Sequence, residues 1–378
     1  MIGVIKDRVE AFLGRGRYSL AVPAMDGPLQ PNRALDEAPS LHQIADVDHL
    51  LTMGDTLLCA SGPALMKLGA DEPPAELARF DAAVSCLAWD GQDGLAVGVA
   101  GAGLVIRGGR HDGRQIADLQ GESLVCATAA IFVDADTLIV AQGSSRHAPS
   151  AWTHDLMSAG AHGSVWKVSL ATGQAEPWAR GLAWPAGLVM GTDGEVWVSE
   201  AWRHRLIALR GPGATPRVVL ADLPGYPGRL VSAAQGGFWL TVFAPRNQLV
   251  EFVLQEREFR ERMMQTIEPR LWIAPSLGRT ASLSDSLKTP IQQGTLKQMG
   301  MVKPWAPSLS YGLVVKLGPE GLPQSSLHSR ADGRRHGVTS LCERGQQLFV
   351  GAQGSDEVLT LPLTTPSAAA HRTQGGER

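Results

Sequence analysis

The chain has 378 residues, is 44% hydrophobic and 19% charged, and carries a formal net charge of −3. That length and apolar share are enough for a large packed core. The mild negative charge, without a basic stripe interleaved with aromatics, argues against nucleic acid as a partner. From the N-terminus, residues 1–16 space Ile2, Ile5, Val9, Phe12 and Leu13 as one helical stripe. Charges interrupt that segment, so it does not read as a signal peptide. Residues 18–23 read as a strand, the candidate for closing a ring of repeats, and a Pro-rich connector follows to about residue 40. No stretch approaches membrane-spanning length. The expectation is a soluble cytoplasmic protein with a small-molecule partner and no membrane partner.

The body of the chain then repeats one phrase six times, a turn of small polar residues leading into an apolar run. The copies are MGDTLLCAS (53–61), GQDGLAVGV (91–99), DADTLIVAQ (134–142), GTDGEVWVSE (191–200), AQGGFWLTV (234–242) and RGQQLFVGA (344–352). Each reads as a tight turn feeding a short strand. A partner strand follows each: PALMKLG, GLVIRGG, GSVWKVSL, HRLIALR, YGLVVKL and EVLTLPL. Units that cannot bury both faces alone must stack, which predicts an all-β, six-bladed β-propeller spanning residues 1–363 as one domain. The blades are expected near 45–80, 81–119, 122–178, 182–222, 226–330 and 334–363, with a mobile tail at 364–378.

Two blades are too long. The third carries residues 144–163 between its second and third strands, and the fifth carries an insertion over 243–310. Within the latter, Leu249, Val250, Val253, Phe259, Met263 and Ile267 recur at near-helical spacing, predicting a helical lid. Both insertions should overhang one mouth of the central channel; decoration or an oligomer contact is the alternative. Cys59, Cys86, Cys126 and Cys342 show no paired spacing and sit in apolar runs, so free buried thiols are expected.

The stretches WPAGLVMGTDGEVWVSEAWRHRLIAL, LPGYPGRLVSAAQGGFWLTVFAPRN and GVTSLCERGQQLFVGAQGSDEVLTLPL resemble strictosidine synthase-like proteins. These belong to a superfamily that includes gluconolactonases and paraoxonases. The resemblance covers roughly residues 120–363 and implies a six-bladed propeller. Metal-dependent relatives hold an ion in the channel with a Glu, Asn and Asp set. Here the corresponding positions are Asp48, Ala129, Ala186 and Gly228, and the only asparagines are Asn32 and Asn247. No metal site and no cofactor are therefore expected. The glutamate of the Pictet–Spengler members falls at Thr339, so strictosidine synthesis itself is not expected.

His147 and His154 on the blade-three insertion are the candidate general bases, because histidine titrates near neutrality; ordinary surface histidines are the alternative. Asp48 is the expected carboxylate partner, or else a turn cap. Substrate-binding candidates are His49, Trp184, Glu200, Arg246, His336 and Thr339. Glu200 also reads as a structural carboxylate, and Arg246 as a tie between the lid and its blade. A Ser-nucleophile elbow is absent from the sequence. Two functions follow: a metal-independent hydrolase of a small lactone, ester or amide-like substrate, or a non-catalytic small-molecule or protein-binding propeller.

Overall fold

The computed structural model describes residues 22–70, 72–278, 297–298, 301–302 and 310–363. Six four-stranded antiparallel sheets follow one another along the chain. The innermost strands are Val47–Met53, Val84–Trp89, Ala127–Asp134, Pro185–Met190, Gly225–Ser232 and Val338–Arg344. Each copy of the repeated phrase builds the second strand of its blade, from Thr56–Ser61 in blade one to Gln347–Ala352 in blade six. These second strands are apolar on both faces because neighbouring blades press on each side; Phe238–Pro245 is buried along its whole length. Packing between blades forms the core, as where Trp166, Leu138 and Val140 of blade three meet Leu104 and Ile106 of blade two.

The ring is closed by an N-terminal strand, but not the expected one. Ser40–Gln43 pairs with Glu357–Pro362 and completes blade six. Of the predicted strand at 18–23, residues 18–21 lie outside the described residues and 22–23 form no strand. The reason is connection length: Ser40–Gln43 stands three residues before blade one, as short a link as those between other blades. The preceding segment packs on blade five instead. Asn32 Oδ1 accepts from the His328 amide, and Asp36 accepts from Ser329 Oγ at 2.7 Å. The predicted helix at 1–16 and the tail at 364–378 lie outside the described residues.

Both insertions fall where the strand lengths predicted. The blade-three insertion forms the helix Trp152–Ser158, and the blade-five insertion forms Gln248–Gln255 and Arg257–Thr266. Asn247 caps the first blade-five helix, accepting from the Leu249 amide at 2.8 Å. Val250, Val253 and Met263 turn inward as expected, whereas Leu249, Phe259 and Ile267 are exposed. Leu156 and Met157 of one insertion pack with Val250, Val253, Met263 and Trp272 of the other over the same end of the propeller. All four cysteines are free and buried, and burial pushes each thiol up to about 12. No helix among the described residues is long and apolar enough to cross a membrane.

Candidate functional site

Every innermost strand breaks register near its start, blade five twice, at Tyr226/Pro227 and Pro227/Leu230. The shifts lie at Asp48/Leu51, Val84/Cys86, Ala127/Ala129, Pro185/Gly187, Pro227/Leu230 and Val338/Ser340. A bulge inserts one residue and re-aims a side chain that strict alternation would send elsewhere. The result is a ring of Asp48, Ser85, Thr128, Ala186, Gly228 and Thr339 around the channel, with Arg229 beside Gly228. The expected ring position in blade three was Ala129. The bulge moves that place to Thr128, and Ala129 lines the channel farther down.

Arg229 crosses the channel at this level. Its Nη1 donates to Asp48 Oδ1 (2.9 Å) and the Thr339 carbonyl (3.1 Å). Its Nη2 donates to Asp48 Oδ2 (3.1 Å) and the Ser85 carbonyl (2.7 Å), and its Nε donates to His49 Nδ1 (2.9 Å). A guanidinium has five N–H groups, so every donor is engaged. In a regular strand only one of the neighbours Asp48 and His49 would face the channel. Both do, because the bulge puts His49 at a φ of 32°. His49 Nδ1 also accepts from the Leu87 amide at 3.1 Å. Burial and the Arg229 charge push this ring well below the ordinary histidine value, which keeps Nδ1 an acceptor.

The Asp48–Arg229–His49 layer divides the channel. Below it, a cavity of about 380 Å³ is lined by all six innermost strands, mostly by apolar residues but also by Thr52, Ser232 and Glu343, with His49 and Arg229 in its roof. Above it, a second cavity of about 380 Å³ opens under the insertions, with Asp48 and Arg229 in its floor and Trp152, Trp184, Phe243 and Leu277 in its walls. Thr339 Oγ1 in the ring is buried without a hydrogen-bond partner. Trp184 holds a left-handed φ of 57°, a conformation that costs an ordinary residue roughly 1 kcal/mol. Its backbone is fixed where its carbonyl accepts from the Ala201 amide at 3.0 Å, and its indole stacks on Trp202 at 5.2 Å.

The structure thus places Asp48, Trp184 and Thr339 at the upper cavity, with His49 joined to them through Arg229 but lining the lower one, and sets the remaining candidates apart. His147 and His154 neither line the upper cavity nor meet Asp48. The His147 imidazole is held at 3.0 Å by Asp155, whose other oxygen accepts from Trp202 Nε1 at 2.8 Å. The His154 ring sits edge-on against Trp272, 4.5 Å between centroids. The insertion supplies Pro149, Ser150 and Trp152 to the cavity instead.

Glu200 is fully buried, accepting from the Ala183 amide (2.8 Å), Arg203 (2.6 Å) and Arg205 (2.6 Å). It is a structural carboxylate rather than a ligand for substrate. Arg246 pairs with Asp222 at 2.6 Å and with Glu251 of the first blade-five helix at 3.2 Å, so it ties the insertion to its blade. His336 is buried between Ser310 Oγ and the Arg330 carbonyl, each at 2.8 Å. Sequence reasoning missed Arg229 and Asp155. For Arg229 a signal existed: it is a cation within an otherwise apolar inner strand, where a charge must find a partner.

The ring does not fit the ion that the family resemblance implies. A hard divalent cation takes six to eight oxygen ligands, several of them carboxylates or amide carbonyls. The ring offers one carboxylate, already forked by a guanidinium, and among the described residues no cluster of three His, Cys, Asp or Glu side chains could hold a metal. Asn32 Oδ1 accepts from the Ala34 and His328 amides and Asn247 caps a blade-five helix, and neither lines the ring.

No family model matches the chain, and no curated protein matches its sequence. Among solved structures it is similar to a gluconolactonase from Xanthomonas campestris, at 14% identity over 91% of this chain and 97% of that chain, with a TM-score of 0.55. It is also similar to a putative gluconolactonase, at 13% identity over 86% and 91% of the two chains, with a TM-score of 0.52. At such identities the likeness is one of fold: the chain is a six-bladed β-propeller built on the same plan as these gluconolactonases.

Proposed function

We propose that the protein binds a small lactone, ester or amide-like molecule in the upper cavity and hydrolyses it without a metal, with Asp48 as general base. The carrying observation is the carboxylate itself, gripped from one side by Arg229 and 22% exposed in the cavity floor. A carboxylate accepts along about four directions, and the guanidinium fork uses two of them. The remaining two are available to a water or a substrate hydroxyl.

In this reading a water held by Asp48 attacks the acyl carbon and gives its proton to Asp48. The tetrahedral adduct collapses with cleavage of the acyl C–O or C–N bond. The leaving oxygen or nitrogen takes the proton back, restoring the carboxylate. Trp152, Trp184 and Phe243 hold the apolar part of the substrate and exclude bulk water. Arg229 supplies positive field, not a hydrogen bond, because its donors are engaged.

The names of the similar structures support a lactone, and the resemblance of residues 120–363 to strictosidine synthase-like proteins supports a small organic molecule. One observation favours a second reading. With Arg229 fully engaged and both histidines outside the cavity, no charged donor among the described residues faces a developing oxyanion, as suits a binding protein without turnover.

The test is a panel of five- and six-membered lactones and aryl esters, assayed in excess chelator with wild type and Asp48→Asn. The expected result is turnover unaffected by chelator and reduced about a hundredfold or more in Asp48→Asn. Unchanged rates in Asp48→Asn would remove Asp48 as base, and loss of turnover on chelation would remove metal independence. Binding without turnover, read by tryptophan quenching, would establish the second reading.

A further inference from the structure

We infer that the channel's cation is built into the chain: the Arg229 guanidinium occupies a five-contact site shared by four blades and excludes a divalent ion from it. Arg229 itself belongs to the innermost strand of blade five. Its contacts are Asp48 and His49 in blade one, the Ser85 carbonyl in blade two and the Thr339 carbonyl in blade six. Inner strands far apart in sequence thus converge on one planar cation, much as oxygen ligands converge on a metal.

The site matches the shape of a guanidinium, not merely its charge. Its acceptors lie around the plane at 2.7–3.1 Å, and the carboxylate meets two nitrogens at once. The Arg229 amide is held as well, donating to Thr241 Oγ1 at 2.8 Å, which fixes the stem of the side chain. Arg229 and Asp48 are only 13% and 22% exposed, so their attraction is weakly screened. An entering divalent ion would face this guanidinium at contact range and gain only a carboxylate already shared. This inference concerns the channel's cation and stands whether or not the cavity above supports hydrolysis.

The experiment vacates the site and refills it. Arg229→Ala is expected to melt about 5 °C below wild type, because one partner of a buried pair is left alone. Guanidinium chloride at about 10 mM, far below denaturing levels, should restore part of that loss by binding the native state. Equal concentrations of sodium or calcium chloride should not. Wild type should melt at the same temperature with chelator or with added calcium.

Arg229→Lys guards against a variant that fails to fold. It keeps the charge but has three donors for five acceptors, so it should melt below wild type and above Arg229→Ala. Rescue of Arg229→Ala by calcium rather than guanidinium would overturn the inference. So would a calcium-dependent wild type, or an Arg229→Lys variant as stable as wild type.

Discussion

Gly187→Val is expected to lose about 3 kcal/mol of stability or more, and Gly187→Ala a substantial part of that. Gly187 lies where the innermost strand of blade four packs against that of blade five. A Cβ there would stand 2.5 Å from the Gly228 carbonyl oxygen, 2.7 Å from the Leu230 amide nitrogen and 2.8 Å from Arg229 Cα. All three are backbone atoms, so no side chain can swing aside and the two blades must separate. The displaced segment carries Arg229, so ligand binding in the upper cavity should weaken together with stability. Thermal melts of both variants check this. A Gly187→Ala protein melting within a degree of wild type would show that the blades are not in the contact described.

Asp155→Ala is expected to cost about 3 kcal/mol and to weaken ligand binding roughly tenfold. Asp155 is 1% exposed and accepts from both His147 (3.0 Å) and Trp202 Nε1 (2.8 Å). Without the carboxylate, the partly buried Trp202 N–H loses its acceptor. Trp202 in turn stacks on Trp184 and sits 6.2 Å from Trp152, the two tryptophans that face the cavity. Asp155 therefore acts on the cavity through its wall, as a positioning residue. Asp155→Asn keeps an acceptor for Trp202 and should recover most of the stability. Tryptophan emission should red-shift in Asp155→Ala and not in Asp155→Asn. Equal emission and equal affinity in all three proteins would sever the link between Asp155 and the wall.

The propeller was legible because its signal is local and repeated. A turn followed by residues apolar on both faces, as in GTDGEVWVSE, has one common use, a second strand pressed between neighbours. The insertions were legible from length alone. The closing strand was not: Ser40–Gln43 has an unremarkable pattern, and its place follows from the distance to blade one rather than from its own residues.

The site was partly legible, and the reason lies in the bulges. Asp48, Trp184 and Thr339 were candidates from the sequence and line one cavity together, and Ala186 and Gly228 stand in the same ring. A one-residue bulge has no fixed composition, so the family correspondence pointed to Ala129 where Thr128 stands, and the bulge that brings both Asp48 and His49 to the channel left no mark in the sequence. The same bulge in blade five turns Arg229 inward. Reading Gly228 as a lost ligand obscured that the next residue brings a cation. His147 and His154 were favoured because histidine suits acid–base chemistry, but their insertion presents Trp152 to the cavity and gives His147 to Asp155.

The most direct measurement of the central claim, that the Arg229–Asp48 pair stands where an ion would otherwise be, is the metal content of the purified, undialysed protein by elemental mass spectrometry. The account predicts less than about a tenth of an equivalent of calcium, and of zinc, per chain. Calcium near one equivalent per chain would contradict it, because an ion held that firmly needs oxygen ligands that the ring of Asp48, Ser85, Thr128, Ala186, Gly228 and Thr339 does not supply.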